Sequence, residues 1–171
     1  MNSFDFYSPT YFVFGKEREK ETGKYVKKFG GSKALVVYGG QSAKKSGLFG
    51  RVMDSLKEEG IDTVEFGGVK PNPRSGLVYS GIDLARSEKV DFIVAIGGGS
   101  VIDTCKAIAM GVPYDGDFWD FFSGKNPEVA LPIGVVLTIA GTGSEGSPDA
   151  IITQEETLAK NAAGGDCLRA K

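Results

Sequence analysis

Three runs of apolar residues in this chain each break off into glycine. Ala34-Leu35-Val36-Val37-Tyr38 ends at Gly39-Gly40, and Phe92-Ile93-Val94-Ala95-Ile96 ends at Gly97-Gly98-Gly99. The third, Pro132 to Thr138, leads through Ile139 into Ala140-Gly141-Thr142-Gly143-Ser144-Glu145. An unbroken apolar run reads as a strand buried on both faces, which is what a parallel sheet covered by helices requires. Glycine at the end of such a strand lets the backbone turn tightly and lets a ligand come close to the main chain. The chain is thus constrained to an α/β sheet with a glycine-lined edge.

The segments between the runs fit that constraint. Helical patterning covers Lys16 to Phe29, with Tyr25, Val26 and Phe29 as its apolar face. It returns over Leu48 to Glu59, where Leu48, Val52 and Leu56 recur at helical spacing and Gly60 is a stop signal. Leu77 to Glu88 and Ser100 to Met110 are further helices, and Thr63 to Phe66 is a short strand. Lys70-Pro71-Asn72-Pro73 is a rigid turn, because each proline fixes its own φ and biases its predecessor toward extended backbone. Strands alternating with helices predict a doubly wound, mainly parallel α/β sheet with helices on both faces. Phe4 to Tyr7 and Tyr11 to Phe14 are expected to form an N-terminal β-hairpin, docked either on its own sheet or on a neighbouring surface. Ile151 to Thr153 reads as a last strand, and residues 154–171 read as a weakly structured polar tail without a core.

Composition removes several functional classes. With 20 Lys and Arg against 22 Asp and Glu, the chain offers no broad basic field for nucleic acid or an anionic membrane. No run is long and apolar enough to span a bilayer, and Met1 to Tyr7 lacks the pattern of a signal peptide. Two cysteines, Cys105 and Cys167, are too few for a disulfide framework, so a reduced, cytoplasmic protein is expected. Histidine is absent, which excludes a His general base and a His-ligated metal within this chain. Asp115, Asp117 and Asp120 lie among Phe118, Trp119, Phe121 and Phe122; without the glycine and distal Glu of a calcium loop, packing is the better reading.

The strongest chemical signal is Gly97-Gly98-Gly99-Ser100-Val101-Ile102-Asp103, at a strand-to-helix junction. The first turn of a helix carries unpaired N–H groups and the positive end of the dipole, so this corner suits an anion such as a pyrophosphate. Ser100 with Asp103 has capping-box spacing. Tyr38-Gly39-Gly40-Gln41-Ser42 does not match the Gly-x-Gly-x-x-Gly fingerprint of the ordinary dinucleotide fold. It lacks a carboxylate that would repel a ribose 2′-phosphate and is followed by Lys44 and Lys45, a pattern suited to NADP(H); read individually, those lysines equally suit a solvated helix start. Hydroxyls and bare amides in Thr138 to Ser144 can bind a phosphate or a carboxamide, or form a plain hydroxyl-capped turn.

Taken together and in order, Pro71-Asn72-Pro73, Gly97 to Lys106 and Gly141-Thr142-Gly143-Ser144-Glu145 closely resemble the iron-containing (group III) alcohol dehydrogenases. Tyr38-Gly39-Gly40 followed by Lys44-Lys45 is similar to the NADPH-preferring butanol dehydrogenase and aldehyde reductase branch. The resemblance implies that residues 1–171 are a dinucleotide-binding domain and that a C-terminal, metal-binding helical domain lies outside this sequence. It implies that Gly39, Gly40 and Ser42 face the adenosine ribose and its phosphate, and that Asn72 lies near the cofactor. It further implies that Gly97, Gly98, Gly99 and Ser100 hold the pyrophosphate, with Asp103 ordering their turn. Thr138, Thr142 and Ser144 are implied to approach the phosphates and nicotinamide, and Lys160 to reach the cofactor.

The implied reaction is hydride transfer between NADP(H), preferred over NAD(H), and a primary alcohol or aldehyde. In the family the substrate oxygen is polarised by Fe2+ or Zn2+ held by an Asp and three His, which belong only to the full-length enzyme. No catalytic or metal-binding residue is therefore assigned here. The resemblance also implies homodimers through the N-terminal strands and a domain that by itself binds cofactor weakly and does not turn over. A stand-alone nucleotide-binding module, and an enzyme akin to glycerol dehydrogenase or dehydroquinate synthase, remain alternatives.

Overall fold

The computed structural model describes Ser3 and residues 7–171. Four strands, β1 (Lys33–Tyr38), β2 (Asp62–Phe66), β3 (Phe92–Gly97) and β4 (Ile133–Leu137), form one sheet in the order β2-β1-β3-β4. Every pairing in it is parallel. β1 and β3 are the inner strands. All of β3 is buried, which is why it reads as continuous apolar sequence, whereas β2 at the edge keeps Asp62 and Glu65 in solvent.

Five helices cover the sheet: α1 (Thr22–Lys28), α2 (Ser42–Lys45), α3 (Leu48–Glu58), α4 (Ser75–Ser87) and α5 (Gly99–Gly111). Successive strand residues point to opposite faces. Ala34 and Val36 of β1 and Phe92, Val94 and Ile96 of β3 pack with Val26 of α1 and Val52 and Leu56 of α3. Leu35, Val37, Ile93 and Ala95 join the other cluster, with Val78 and Ile82 of α4 and Ile102 and Cys105 of α5. Fully burying a Val, Leu or Ile side chain is worth about 1.5–3 kcal/mol, so these two half-cores carry the fold.

Three of the four helix-to-strand connections in the sheet share one device. At the ends of α1, α3 and α4 the amides of Gly31, Ile61 and Val90 reach back to the carbonyls of Val26, Leu56 and Ala85, while those of Gly30, Gly60 and Lys89 reach Lys27, Lys57 and Arg86. This is the Schellman pattern, whose turning residue is left-handed. Gly30 and Gly60 adopt φ values of 86° and 73°, and Lys89 adopts 54° without being glycine.

One expectation is corrected, and one falls partly on residues outside those described. Phe4 to Phe6, in the first arm of the expected N-terminal hairpin, lie outside the described residues. Tyr11 to Phe14 pairs with no strand among the described residues, and Phe12 and Phe14 stand in solvent. Residues 154–171 are not a coreless tail. β5 (Asp149–Thr153) pairs antiparallel with β6 (Lys160–Gly164), and a 3-10 turn follows at Asp166–Leu168. Ala150, Ile152, Ala163 and Leu168 are buried in the same cluster as α5. Their apolar content is sparse because α5 supplies the other half of that small core. With the sheet beneath it and this hairpin and the 3-10 turn Phe118–Ser123 packed around it, α5 is buried almost all round. Among the described residues no helix is long and apolar enough to cross a membrane.

Candidate functional site

Strand order locates the site. From β1 the chain moves to β2 on one side, then returns by α4 to place β3 on the other side of β1. The helices change face with the same step, α3 on one side of the sheet and α4 and α5 on the other. Such a reversal opens a crevice at the carboxyl ends of the two diverging strands. Gly39-Gly40 closes β1 and Gly97-Gly98-Gly99 closes β3, so two of the three glycine clusters flank that point.

At the β3 corner α5 begins at Gly99, and its N-cap is Gly98 in extended backbone with no side-chain cap. The amides of Val101 and Ile102 both donate to the Gly98 carbonyl at 3.0 and 3.1 Å, leaving those of Gly99 and Ser100 ahead of them outside the helical ladder. The expected capping box between Ser100 and Asp103 does not form. Asp103 instead accepts from Ser144 Oγ at 3.1 Å and from the Ile151 amide at 3.3 Å. Desolvation raises the Asp103 pKa, and the bond from Ser144 opposes that rise. The helix end is left open because the acidic side chain that could have capped it is used to hold a neighbouring loop.

The triple glycine is required for space, not for unusual dihedrals, since none of Gly97, Gly98 and Gly99 has positive φ. A Cβ on Gly97 would lie 2.5 Å from Val101 Cγ2, one on Gly98 2.7 Å from Ile139 Cγ2, and one on Gly99 2.7 Å from Thr142 Oγ1. Gly143, at φ 72°, does turn through the left-handed region and thereby brings Thr142 and Ser144 back over α5. The two hydroxyls stand 3.1 Å apart beside Gly99.

A cleft of about 410 Å³ opens at this corner. It is lined by Asn72, Gly99, Ser100, Asp103, Thr142, Ser144 and Lys160, together with Pro73, Ser147, Asp149 and Ile151. Residues far apart in sequence are thus gathered from the proline turn, the head of α5, the Gly-Thr-Gly-Ser loop and β6. Lys160 Nζ donates to Asn72 Oδ1 at 3.0 Å, and Asn72 itself sits at φ 55°. The hairpin is held there by Ser75 Oγ, which accepts from the Glu155 amide at 3.1 Å, and by Glu155 Oε2, which accepts from the Gly76 amide at 3.1 Å.

Other predicted residues stand elsewhere. Gly97 and Gly98 precede Gly99 in the chain and do not line the cleft. Gly39 faces the Val69 carbonyl and Val101 from the neighbouring strand end, Gly40 has open space around it, and Ser42 is exposed at the start of α2. Thr138 is not brought to the cleft. Its amide bonds the Gly97 carbonyl at 3.1 Å, and it lines a separate apolar groove between β4 and the Tyr11–Phe14 segment. Lys44 is committed: Nζ lies 2.9 Å from Glu65 Oε2 and 4.7 and 4.6 Å from the ring centres of Tyr38 and Phe49.

Sequence reasoning missed Lys106. This α5 residue is fully buried, and its ammonium donates to the carbonyls of Ser144, Ser147 and Asp149 at 2.7, 2.8 and 2.8 Å. Desolvation pulls its pKa down to about 8, against the opposing pull of Asp103 and Asp149. The signal was present: a single cation within the apolar stretch Val101 to Met110. The donor chemistry for iron or zinc does not fit, because the chain has no histidine and no group of three His, Cys, Asp or Glu able to hold a metal exists among the described residues.

Fold and corner together define an open, doubly wound α/β domain with an anion-suited helix start at its switch point. A family model for iron-containing alcohol dehydrogenase matches residues 9–171, and the chain belongs to that family. It is 52% identical over 161 residues to "Probable NADH-dependent butanol dehydrogenase 2" of Bacillus subtilis, covering 94% of this chain and 41% of that protein. It is 39% identical to the NADPH-dependent aldehyde reductase YqhD of Escherichia coli, covering 95% of this chain and 42% of that protein. The crystal structure of NADH-dependent butanol dehydrogenase A from Thermotoga maritima superposes with a TM-score of 0.97 at 44% identity, over 100% of this chain and 43% of that one. The chain therefore spans about two fifths of the length of these relatives.

Proposed function

We propose that this chain is the cofactor-binding part of a nicotinamide-dependent alcohol or aldehyde dehydrogenase, with the linked phosphates of the dinucleotide at the head of α5. The observation that carries this reading is the cleft lined jointly by Gly99 and Ser100, whose amides lie outside the helical ladder, and by the paired hydroxyls of Thr142 and Ser144. The two amides are neutral donors at a helix start, and with the helix dipole they suit a doubly anionic pyrophosphate; the Ser144 proton is given to Asp103, so the hydroxyls shape the corner beside them. In this reading Lys160 and Asn72, which bond each other and line the same cleft, meet the sugar and nicotinamide end. When bound, the nicotinamide supplies the hydride; this chain binds, orients and shields it. No step is assigned to a metal.

NADP(H) is the preferred form in this reading. Support comes from the absence of an acidic residue in Tyr38-Gly39-Gly40-Gln41-Ser42, the open space at Gly40, and exposed Ser42 and Lys45 close by; the Glu65 carboxylate, which accepts from Tyr38 Oη at 3.4 Å, opposes it. Lys44, tied to Glu65, contributes less than its sequence position suggests. The relatives named for NADH and for NADPH divide on this point, so the preference rests on local chemistry alone. The substrates are small alcohols and aldehydes, as in the relatives' names. Two unpaired cysteines, one buried in α5, suit a reducing cytoplasm. Copies of the chain pair through the exposed aromatic segment Tyr11–Phe14.

Calorimetric titration of the chain with NADPH, NADH and ADP tests the reading. The expected order is NADPH tightest, then NADH, with ADP weakest. Tighter binding of NADH overturns the preference but leaves the dinucleotide site. Equal binding of all three favours a general adenine-nucleotide module. No saturable binding at millimolar concentration removes the reading altogether.

A further inference from the structure

Lys106 is an anomaly by ordinary rules of burial, because a lysine fully withdrawn from solvent is normally paired with a carboxylate. Here, among the described residues, no carboxylate oxygen is within bonding distance of Nζ. Its partners are three main-chain carbonyls, of Ser144, Ser147 and Asp149, with Ser147 Oγ at 3.2 Å. An ammonium has three protons and no acceptor capacity, so three carbonyls at 2.7–2.8 Å satisfy it completely. All three lie on one short stretch, from the last residue of the Gly-Thr-Gly-Ser turn to the first residue of β5.

One helical turn earlier, Asp103 serves the same segment in the opposite chemical sense, accepting from Ser144 Oγ and from the Ile151 amide. A cation that collects carbonyls and an anion that collects donors project from one side of α5. Between them they hold residues 144–151 against that helix. Ser144 is gripped at both ends, its hydroxyl by Asp103 and its carbonyl by Lys106. Its hydroxyl is also the partner of Thr142.

We infer that Lys106 is a positioning residue for the cofactor corner: by drawing three carbonyls of the 144–149 segment onto α5 it fixes the Thr142 and Ser144 hydroxyls beside the free amides of Gly99 and Ser100. It touches no ligand itself. Without the ammonium, the buried Ser144 carbonyl and the part-buried carbonyls of Ser147 and Asp149 would lose their charged donor, and the segment would move to find water. The hydroxyls would then lose their register against the helix start. This role rests on the proposed phosphate site for its consequence, but the grip on the segment stands independently of any ligand.

The test compares the full wild-type chain with Lys106→Met, of similar length and no charge. Amide hydrogen exchange without ligand is followed by calorimetric titration with NADPH. The expected variant melts cooperatively and retains slow exchange in β1 and β3. Its amides between Glu145 and Ile151 exchange at least ten-fold faster, and its Kd for NADPH rises at least ten-fold. Unchanged exchange in that segment, or faster exchange throughout the sheet to the same degree, overturns the inference, as does an unchanged Kd in a variant whose loop has loosened. Should Lys106→Met not fold, the wild-type ammonium is observed directly by 15N NMR. Slowly exchanging Nζ protons correlated with the Ser144, Ser147 and Asp149 carbonyls support the role, and rapid averaging with solvent refutes it. A wild-type chain that binds neither NADPH nor NADH defeats the proposed function, while the ligand-free exchange result still decides whether Lys106 holds the segment.

Discussion

Gly99 shows how one residue type can be demanded by chemistry and not by backbone geometry. Its φ lies in the ordinary region, so another residue could adopt its conformation, yet a Cβ there would meet Thr142 Oγ1 at 2.7 Å. That obstacle is the tip of a rotatable side chain and can move aside cheaply. Gly99→Ala is therefore expected to change unfolding free energy by less than about 1 kcal/mol while weakening NADPH binding about ten-fold, equivalent to about 1.4 kcal/mol. Urea denaturation beside calorimetry checks both halves; a large stability loss with unchanged affinity would assign the glycine to packing. Gly99 could be read from the sequence because a glycine run after an apolar run is a local signal. Lys106 could not be assigned its partners, because these lie about forty residues away and only the return of the 144–149 segment onto α5 brings them to it.

Among the elements, the helix ends carry information that composition hides. α1, α3 and α4 stop in the same way, but only the first two place glycine at the left-handed position. Lys89 occupies it on α4, exposed and at φ 54°, at a conformational cost for a residue with a Cβ. Lys89→Gly is expected to stabilise the chain by about 0.5–1 kcal/mol, read as a rise in the urea midpoint with unchanged slope. A fall in midpoint would mean that the lysine side chain contributes more than its dihedral costs. The inner strands β1 and β3 were legible because burial on both faces leaves no polar register to confuse the pattern. β6 was not: Lys160 to Gly164 is polar and small, and its strand state depends on pairing with β5 over α5. No local propensity predicts such a strand, since its stability resides in the partner it covers.

For the whole molecule, one surface stands out. Phe12, Phe14 and Tyr11 are exposed on a segment that pairs with no strand among the described residues, beside an apolar groove of about 490 Å³ along β4. Exposed aromatics in that number on a short extended segment suit association of copies. Sedimentation is expected to show wild-type dimers and to show monomers for Phe14→Asp, with the melting temperature of the monomeric unit little changed because Phe14 is fully exposed. A wild-type chain that stays monomeric at high concentration would remove this assembly from the proposal. The sequence by itself determined the parallel sheet, its helical covering and the glycine-edged corner, because hydrophobic periodicity and glycine placement act within a few residues of one another. Only tertiary structure decided which hydroxyls meet that corner, that Asp103 leaves the helix end uncapped, that Lys44 is spent on Glu65, and that the polar C-terminal stretch walls the cleft. Each of those outcomes depends on which distant groups a side chain can reach once the core has closed, and local sequence encodes no such distance.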